Sequence, residues 1–264
     1  VVIVLAESLR DACTPKTYYT DIEERSRRVG DLWSAVNTQK GWRFTNQSDP
    51  LAKRMEGLCP DFVGKPWNFV IISIETFRAM NMPLLNPNEE VETTPFLRSL
   101  ATAEHSSYYT RFIANGQPTI ASFMALHTGL LPHSRKTVAK SFTRTMLDSY
   151  ASILRQHGYH AAFFSGSDPD WDNQRRWLSQ WYDFVHYDKA DKEEDRRIMR
   201  TAAKYLKEKA QLGAPVVLTA FLISNHMPFD SPEPGFDLYQ GADLKRKIVN
   251  TMRYDDDVIG EFFD

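Results

Sequence analysis

The sequence predicts an α/β domain built on a mainly parallel central sheet flanked by helices. Three observations predict it. The run NFVIISI, residues 68–74, is apolar and β-branched with only Ser73 interrupting its core, which suits a strand buried on both faces in the middle of such a sheet. From Asn68 onward, further apolar strand-like runs alternate with amphipathic stretches of helical length. Polar residues with chemistry, Glu75 and His226 among them, directly follow two of these runs, and in open α/β sheets ligands bind in the crevice beyond the carboxyl ends of the strands.

Taken in order, the chain opens with VVIVLA, which fits either a strand or the last turns of a membrane helix. Residues 21–37 carry Ile22, Val29, Leu32 and Trp33 at loosely helical spacing, and a polar stretch follows, ending in Gly64, Pro66 and Trp67. Residues 1–67 are therefore read as an extension or linker, and 68–264 as the main domain. The predicted strands are 68–74, 108–114, 160–165, 183–187 and 215–223. The predicted helices are 94–103, 119–128, 146–157, 172–181, 192–212 and 243–263. The charged run KADKEEDRR, 189–197, reads as the solvated start of a long helix.

Composition narrows the function classes. Lys and Arg total 32 against 34 Asp and Glu, a formal charge of -2, so no basic field advertises a nucleic-acid partner. No run reaches the roughly 18 apolar residues of a membrane span, and no secretory leader is visible. Cys13 and Cys59 match no metal-binding spacing, and their pairing stays open.

Four positions could carry chemistry. Glu75, at the end of the first strand of the main domain, offers hard oxygen ligands for a divalent cation, or is a loop charge or helix cap. In ANGQPTIASFMALHTGLLP, 114–132, Asn115, Gly116 and Pro118 form a turn that places Thr119 at a helix N-terminus, where backbone N–H groups and the helix dipole favour an anion; a plain capping role is the alternative. In FFSGSDPDWDNQRRWLSQW, 163–181, a polar turn presents Trp171, Asn173, Arg175 and Arg176, suited to a phosphate or a polyol or simply to a solvated helix face. In VVLTAFLISNHMPFD, 216–230, His226 reaches the same sheet edge as Glu75. The remaining six histidines show no HExxH-type spacing and receive no role.

The segments NFVIISIETF, TTPFLRSLA, the Thr in a Gly-containing turn, SGSDPDWDN, ISNHMPF and YDDDVIGEFF, in that order, resemble the lipoteichoic acid synthase and phosphoglycerol transferase branch of the alkaline phosphatase/sulfatase superfamily. The resemblance implies that Glu75 binds one divalent metal ion, manganese first with magnesium or zinc as alternatives. It implies that Thr119 is both metal ligand and catalytic nucleophile, and that His226 contacts the phosphate or head group. Trp171, Asn173 and Arg175 are the implied substrate contacts, with Gln174 competing with Arg175 for the family's arginine. The family completes its metal site with an Asp-His pair in a GDH-like segment that follows a helix like YDDDVIGEFFD. This sequence ends before that segment, so the domain is expected to be incomplete at its C-terminus and inactive in isolation.

The implied activity is transfer of a phosphoglycerol or phosphoethanolamine group from a phospholipid donor to a glycan or glycolipid acceptor through a phosphothreonine. The same fold with water as acceptor, a phosphodiesterase or phosphonate hydrolase, is the alternative, as is a non-catalytic binding domain. The residues after Thr119 lack the C-x-P-x-R pattern of formylglycine sulfatases. The resemblance also places the domain on the extracytoplasmic, periplasmic face of a bacterial inner membrane, anchored by a segment outside this chain.

Overall fold

The computed structural model describes the strand backbones of 2–6 and 43–44, and residues 67–264 except 105, 111, 134–135, 188–194, 231–232 and 241–242. The strands are β1 (Val2–Ala6), β2 (Arg43–Phe44), β3 (Phe69–Ile74), β4 (Met146–Leu147), β5 (His160–Ser165), β6 (Phe184–Tyr187) and β7 (Val216–Leu222). Five of them form one sheet in the order β1-β3-β7-β5-β6, while β2 and β4 make a separate short pair. All neighbours in the main sheet run parallel except β1, which lies antiparallel to β3 at the edge. The mainly parallel sheet is thus as predicted, and VVIVLA contributes a strand, not the end of a helix.

Strand periodicity sorts the side chains onto two faces. Val70, Ile72 and Ile74 of β3 join Leu218, Ala220 and Leu222 of β7 in one core, and Ala161 and Phe163 of β5 join Val217 and Phe221 in the other. The helices are α1 (Pro95–Ala101), α2 (Thr119–Thr128), α3 (Val138–Ser141), α4 (Tyr150–Gln156), α5 (Gln174–Trp181), α6 (Asp195–Gln211) and α7 (Leu244–Phe263). Leu97 of α1, Ile198 and Met199 of α6 and Ile248, Met252 and Val258 of α7 cover the first face. Ile120 and Phe123 of α2, Ala139 of α3, Ala151 of α4 and Trp177 and Trp181 of α5 cover the second. Burial on both sides is why β3, β5 and β7 are near-continuous apolar runs.

Local chemistry sets the helix ends. Ser149 starts α4 with a reciprocal capping box to Ser152, Asp243 accepts the Arg246 N–H at the start of α7, and Gly129 ends α2 in the left-handed conformation at φ 68°. At α1, Pro95 occupies the first turn and the Asp256 carboxylate accepts the Phe96 and Leu97 N–H groups, both at 2.9 Å.

Three expectations need correction. Among the described residues of 108–114 no strand forms: Tyr108, Tyr109, Phe112 and Ile113 are exposed, so the run packs neither face against the core. The stretch 146–157 divides into β4 and α4, broken where Ser149 caps the helix. The charged run at 189–197 is not solvated throughout, since Asp195 is fully buried. The helix expected at 21–37 and both cysteines lie outside the described residues.

Candidate active site at the carboxyl edge of the sheet

Parallel register brings the polar strand ends together. Ile74 pairs with Leu222 and Ser165 with Phe221, so Glu75, Gly166 and the turn 223–226 leave the sheet at one edge. The ladder continues past the strands: Glu75 N–H donates to the Leu222 carbonyl at 2.9 Å and Gly166 N–H to that of Phe221 at 3.1 Å.

At this edge the two residues expected to hold a metal meet. Thr119 Oγ1 donates to Glu75 Oε1 at 3.1 Å, across 44 residues of chain, and Thr76 Oγ1 donates to the same oxygen at 2.9 Å. Thr76 adopts φ 48°, a conformation β-branched residues rarely take, so the chain bends sharply immediately after Glu75. Thr119 is exposed and opens α2, whose first N–H groups have no intrahelical acceptor and make the spot favourable to anions. The preceding turn is held by Ser122 Oγ, which accepts from Gly116 N–H at 3.1 Å and donates to the Gly116 carbonyl at 2.6 Å. Gly116 has to be glycine here, because a Cβ would lie 2.8 Å from Pro132 Cγ and 3.1 Å from Ala121 Cβ.

The other expected contacts are placed less uniformly. His226 is exposed, and its Nδ1 lies 2.8 Å from the Met227 carbonyl; a carbonyl only accepts, so Nδ1 carries a hydrogen and Nε2 is left for a ligand. Trp171 is 74% exposed on the loop after β5. Asn173 spends its side-chain amide on the Ala139 carbonyl at 2.8 Å. Arg175 is engaged by its own loop, ion-paired with Asp168 at 3.1 Å and with Asp170, hydrogen-bonded to the Tyr187 hydroxyl and stacked on that ring. Asp170 first, then Tyr187, raise its pKa further above the ordinary arginine range. Gln174, its rival for the family's arginine, is buried with Oε1 unpaired.

Sequence reasoning missed the buried acids behind the site. Asp195 is fully buried and accepts the Ser224 N–H at 2.7 Å and the Ile223 N–H at 2.9 Å. Burial raises its pKa to about 6, against the opposing pull of these hydrogen bonds. Asp255 of α7 is fully buried with both oxygens unpaired, and burial, then Asp195 and Asp256, push its pKa well above the usual carboxylate range. Their position within acidic runs disguised them as surface. His127, to which the sequence assigned no role, is core: Nδ1 meets the Phe123 carbonyl at 2.8 Å, Nε2 meets the Tyr182 hydroxyl at 3.0 Å, and burial lowers its pKa to about 4.

Glu75 and Thr119 fit a divalent cation as part of a ligand set. They present a carboxylate and a hydroxyl oxygen at one point, the donor chemistry that magnesium and manganese accept, with the remaining positions open to water or substrate oxygens. Among the described residues, no three His, Cys, Asp or Glu side chains gather closely enough to hold a metal by themselves.

A parallel sheet with an acid at one strand end, a helix-opening hydroxyl against it and a histidine on a neighbouring strand end defines an α/β domain of the alkaline phosphatase type. The chain belongs to the sulfatase family, whose match spans residues 67–264. Its fold is similar to the crystal structure of the lipoteichoic acid synthase LtaP from Listeria monocytogenes, with a TM-score of 0.65 and 19% identity over 74% of this chain and 50% of that one. It is also similar to an alkaline phosphatase superfamily protein from Vibrio parahaemolyticus, with a TM-score of 0.63 and 23% identity over 74% of this chain and 48% of that one. The chain thus spans about half the length of the structures it matches. Among the described residues, no helix is long and apolar enough to cross a membrane.

Proposed function

We propose that this domain is a phosphotransferase, moving a phosphoglycerol or phosphoethanolamine group from a phospholipid to a glycan or glycolipid through phosphorylated Thr119. The observation that carries it is the 3.1 Å contact between Thr119 Oγ1 and Glu75 Oε1 at the carboxyl edge of the sheet. The sulfatase family match and the fold shared with a lipoteichoic acid synthase support the reaction class. That neighbour is named a lipoteichoic acid synthase, which is in keeping with lipid-linked substrates; a phospholipid donor and a site of action on the extracytoplasmic face of a bacterial inner membrane are part of the same proposal.

Glu75 accepts the hydroxyl hydrogen of Thr119 and so fixes the direction in which the Oγ1 lone pairs point. A divalent cation held by Glu75 and Thr119, manganese by preference, would supply the charge that favours an ionised hydroxyl and offsets charge on the phosphoryl oxygens. Oγ1 attacks phosphorus in line, the bond from phosphorus to the diacylglycerol oxygen breaks, and the proton given up by Oγ1 ends on the departing alkoxide. The α2 N-terminus and His226 Nε2 meet the equatorial oxygens as their charge grows. Trp171 lies over the glycerol or ethanolamine moiety. A hydroxyl of the acceptor then attacks phosphorus from the opposite side, the bond from phosphorus to Thr119 Oγ1 breaks, and the proton given up by that hydroxyl restores the Thr119 hydroxyl. Arg175, neutralised by Asp168 and Asp170, shapes its loop without meeting the phosphate.

The test is intact-mass analysis of the full-length gene product incubated with Mn²⁺ and a phospholipid donor, beside Thr119→Ala. The parent gains the mass of the transferred group and the variant gains none. No adduct on the parent, with metal bound and donor present, sinks the covalent mechanism. An adduct discharged equally fast with and without acceptor converts the reading to a phosphodiesterase.

A further inference from the structure

The turn between β7 and His226 is anchored from three directions. Asp195 holds its first half through the Ile223 and Ser224 N–H groups at 2.9 and 2.7 Å. Gly166, at the end of β5, makes room for that carboxylate, since a Cβ there would lie 2.5 Å from Asp195 Oδ1. The next residue, Asn225, is fully buried, and its carboxamide faces two different elements. Nδ2 donates to the Glu75 carbonyl at 3.1 Å, and Oδ1 accepts from the Thr251 hydroxyl of α7. The orientation is forced, because a carbonyl cannot donate and so requires the amide's NH₂ group. Thr251 is itself fully buried and its Oγ1 also lies 3.2 Å from the Ile248 carbonyl. Glu75 is held on its other side by its own N–H to the Leu222 carbonyl at 2.9 Å.

We propose that Asn225 is a positioning residue: its buried carboxamide clamps the peptide of Glu75 to α7 and so fixes where the Glu75 carboxylate meets Thr119. The clamp works where it is needed. Thr76, the next residue, takes φ 48°, so the backbone turns away from the sheet directly after Glu75, and without a tether this strand end is free to relax. Asn225 touches neither Thr119 nor the Glu75 carboxylate. It acts through backbone placement, as second-layer groups do for metal ligands. Burial of its amide is satisfied on both sides, so its removal leaves the Glu75 carbonyl and the Thr251 hydroxyl without their partner.

The role of Glu75 as metal ligand rests on the function proposed above, so the test has one arm that depends on it and one that does not. In the metal-free full-length protein, amide hydrogen exchange at Glu75 is compared with that at Ile72 in the same strand. Asn225→Ala raises the Glu75 rate about tenfold while Ile72 stays within about twofold of the parent, and Thr251→Val gives a smaller rise of about threefold. In the second arm, calorimetric titration with Mn²⁺ finds affinity weakened by roughly 10–100-fold in Asn225→Ala, at a temperature where the variant is folded. If both amides accelerate equally, or neither does, Asn225 is an ordinary core residue and the proposal fails. Unchanged Mn²⁺ affinity beside a parent that binds the ion also overturns it. A parent that binds no Mn²⁺ removes the metal reading of Glu75, and the exchange arm still decides the clamp.

Discussion

Asp255 offers a prediction whose sign is set by burial alone. Both of its carboxylate oxygens are enclosed without a hydrogen-bond partner on α7, and burial together with Asp195 and Asp256 raises its pKa well above the usual range. A folded-state pKa above the unfolded value means that the folded protein holds a proton the unfolded chain has released. Its stabilising contribution is complete below about pH 3.8, declines as the pH rises toward the folded pKa, and is gone above it. Asp255→Asn keeps the shape and removes the ionisation. An unsatisfied buried polar group costs about 1–3 kcal/mol, and the ionisable form bears the larger share at high pH. The variant should therefore match the parent near pH 4 and exceed it by about 1–3 kcal/mol at pH 8. In a chain of this size that is a rise in Tm of roughly 2–4 °C per kcal/mol. Urea unfolding at pH 4, 6 and 8 measures it directly. A variant less stable than the parent at pH 8, or a difference that does not change with pH, refutes the argument that Asp255 is buried without a partner.

Two further predictions use the core on the opposite face of the sheet and the edge that carries the site. His127 has its pKa lowered to about 4 by burial, so the unfolded chain takes up a proton that the folded one refuses between pH 6.5 and 4. Its contribution, about 3 kcal/mol from the size of that shift, is complete above pH 6.5 and lost on acidification. Asp195 and Asp256, both raised to about 6, act in the opposite sense over nearly the same window. His127→Gln should thus shift the pH–stability profile upward at its acid end relative to pH 7, and two parallel profiles would count against a neutral core imidazole. Gly166→Ala places a Cβ 2.5 Å from Asp195 Oδ1 and 2.8 Å from Ile223 Cγ2. We expect a loss of about 1–3 kcal/mol in unfolding free energy and faster exchange of the Ile223 and Ser224 amides; wild-type values for both would show that Asp195 is not confined there.

The alternation of apolar runs with amphipathic segments was enough to read the α/β class, because parallel strands buried on both faces leave a compositional mark that half-buried strands and loops do not. The helix 119–128 was legible to the residue, since the turn before it and Gly129 after it are both local signals. The shared edge of Glu75 and His226 was legible too, because parallel register carries strand ends to the same side, whereas the meeting of Thr119 with Glu75 depends on where the helix packs. The same apolar criterion failed at 108–114, whose large apolar side chains stay exposed; whether a run is taken into a sheet is a property of the whole fold and not of the segment.

What only the tertiary structure decided is which polar residues are spent. Arg175 and Arg176 look alike in the sequence, yet Arg175 is consumed by Asp168 and Asp170. Asp195 and Asp255 read as members of acidic runs, and packing of α6 and α7 against the sheet buried both. Asn225 stands beside the more conspicuous His226, but its carboxamide reaches Glu75 and Thr251, 150 and 26 residues away. Periodicity records which way a side chain faces within its own element. Hydrogen-bond partners and desolvation depend on elements brought together from distant parts of the chain, and no local pattern encodes them.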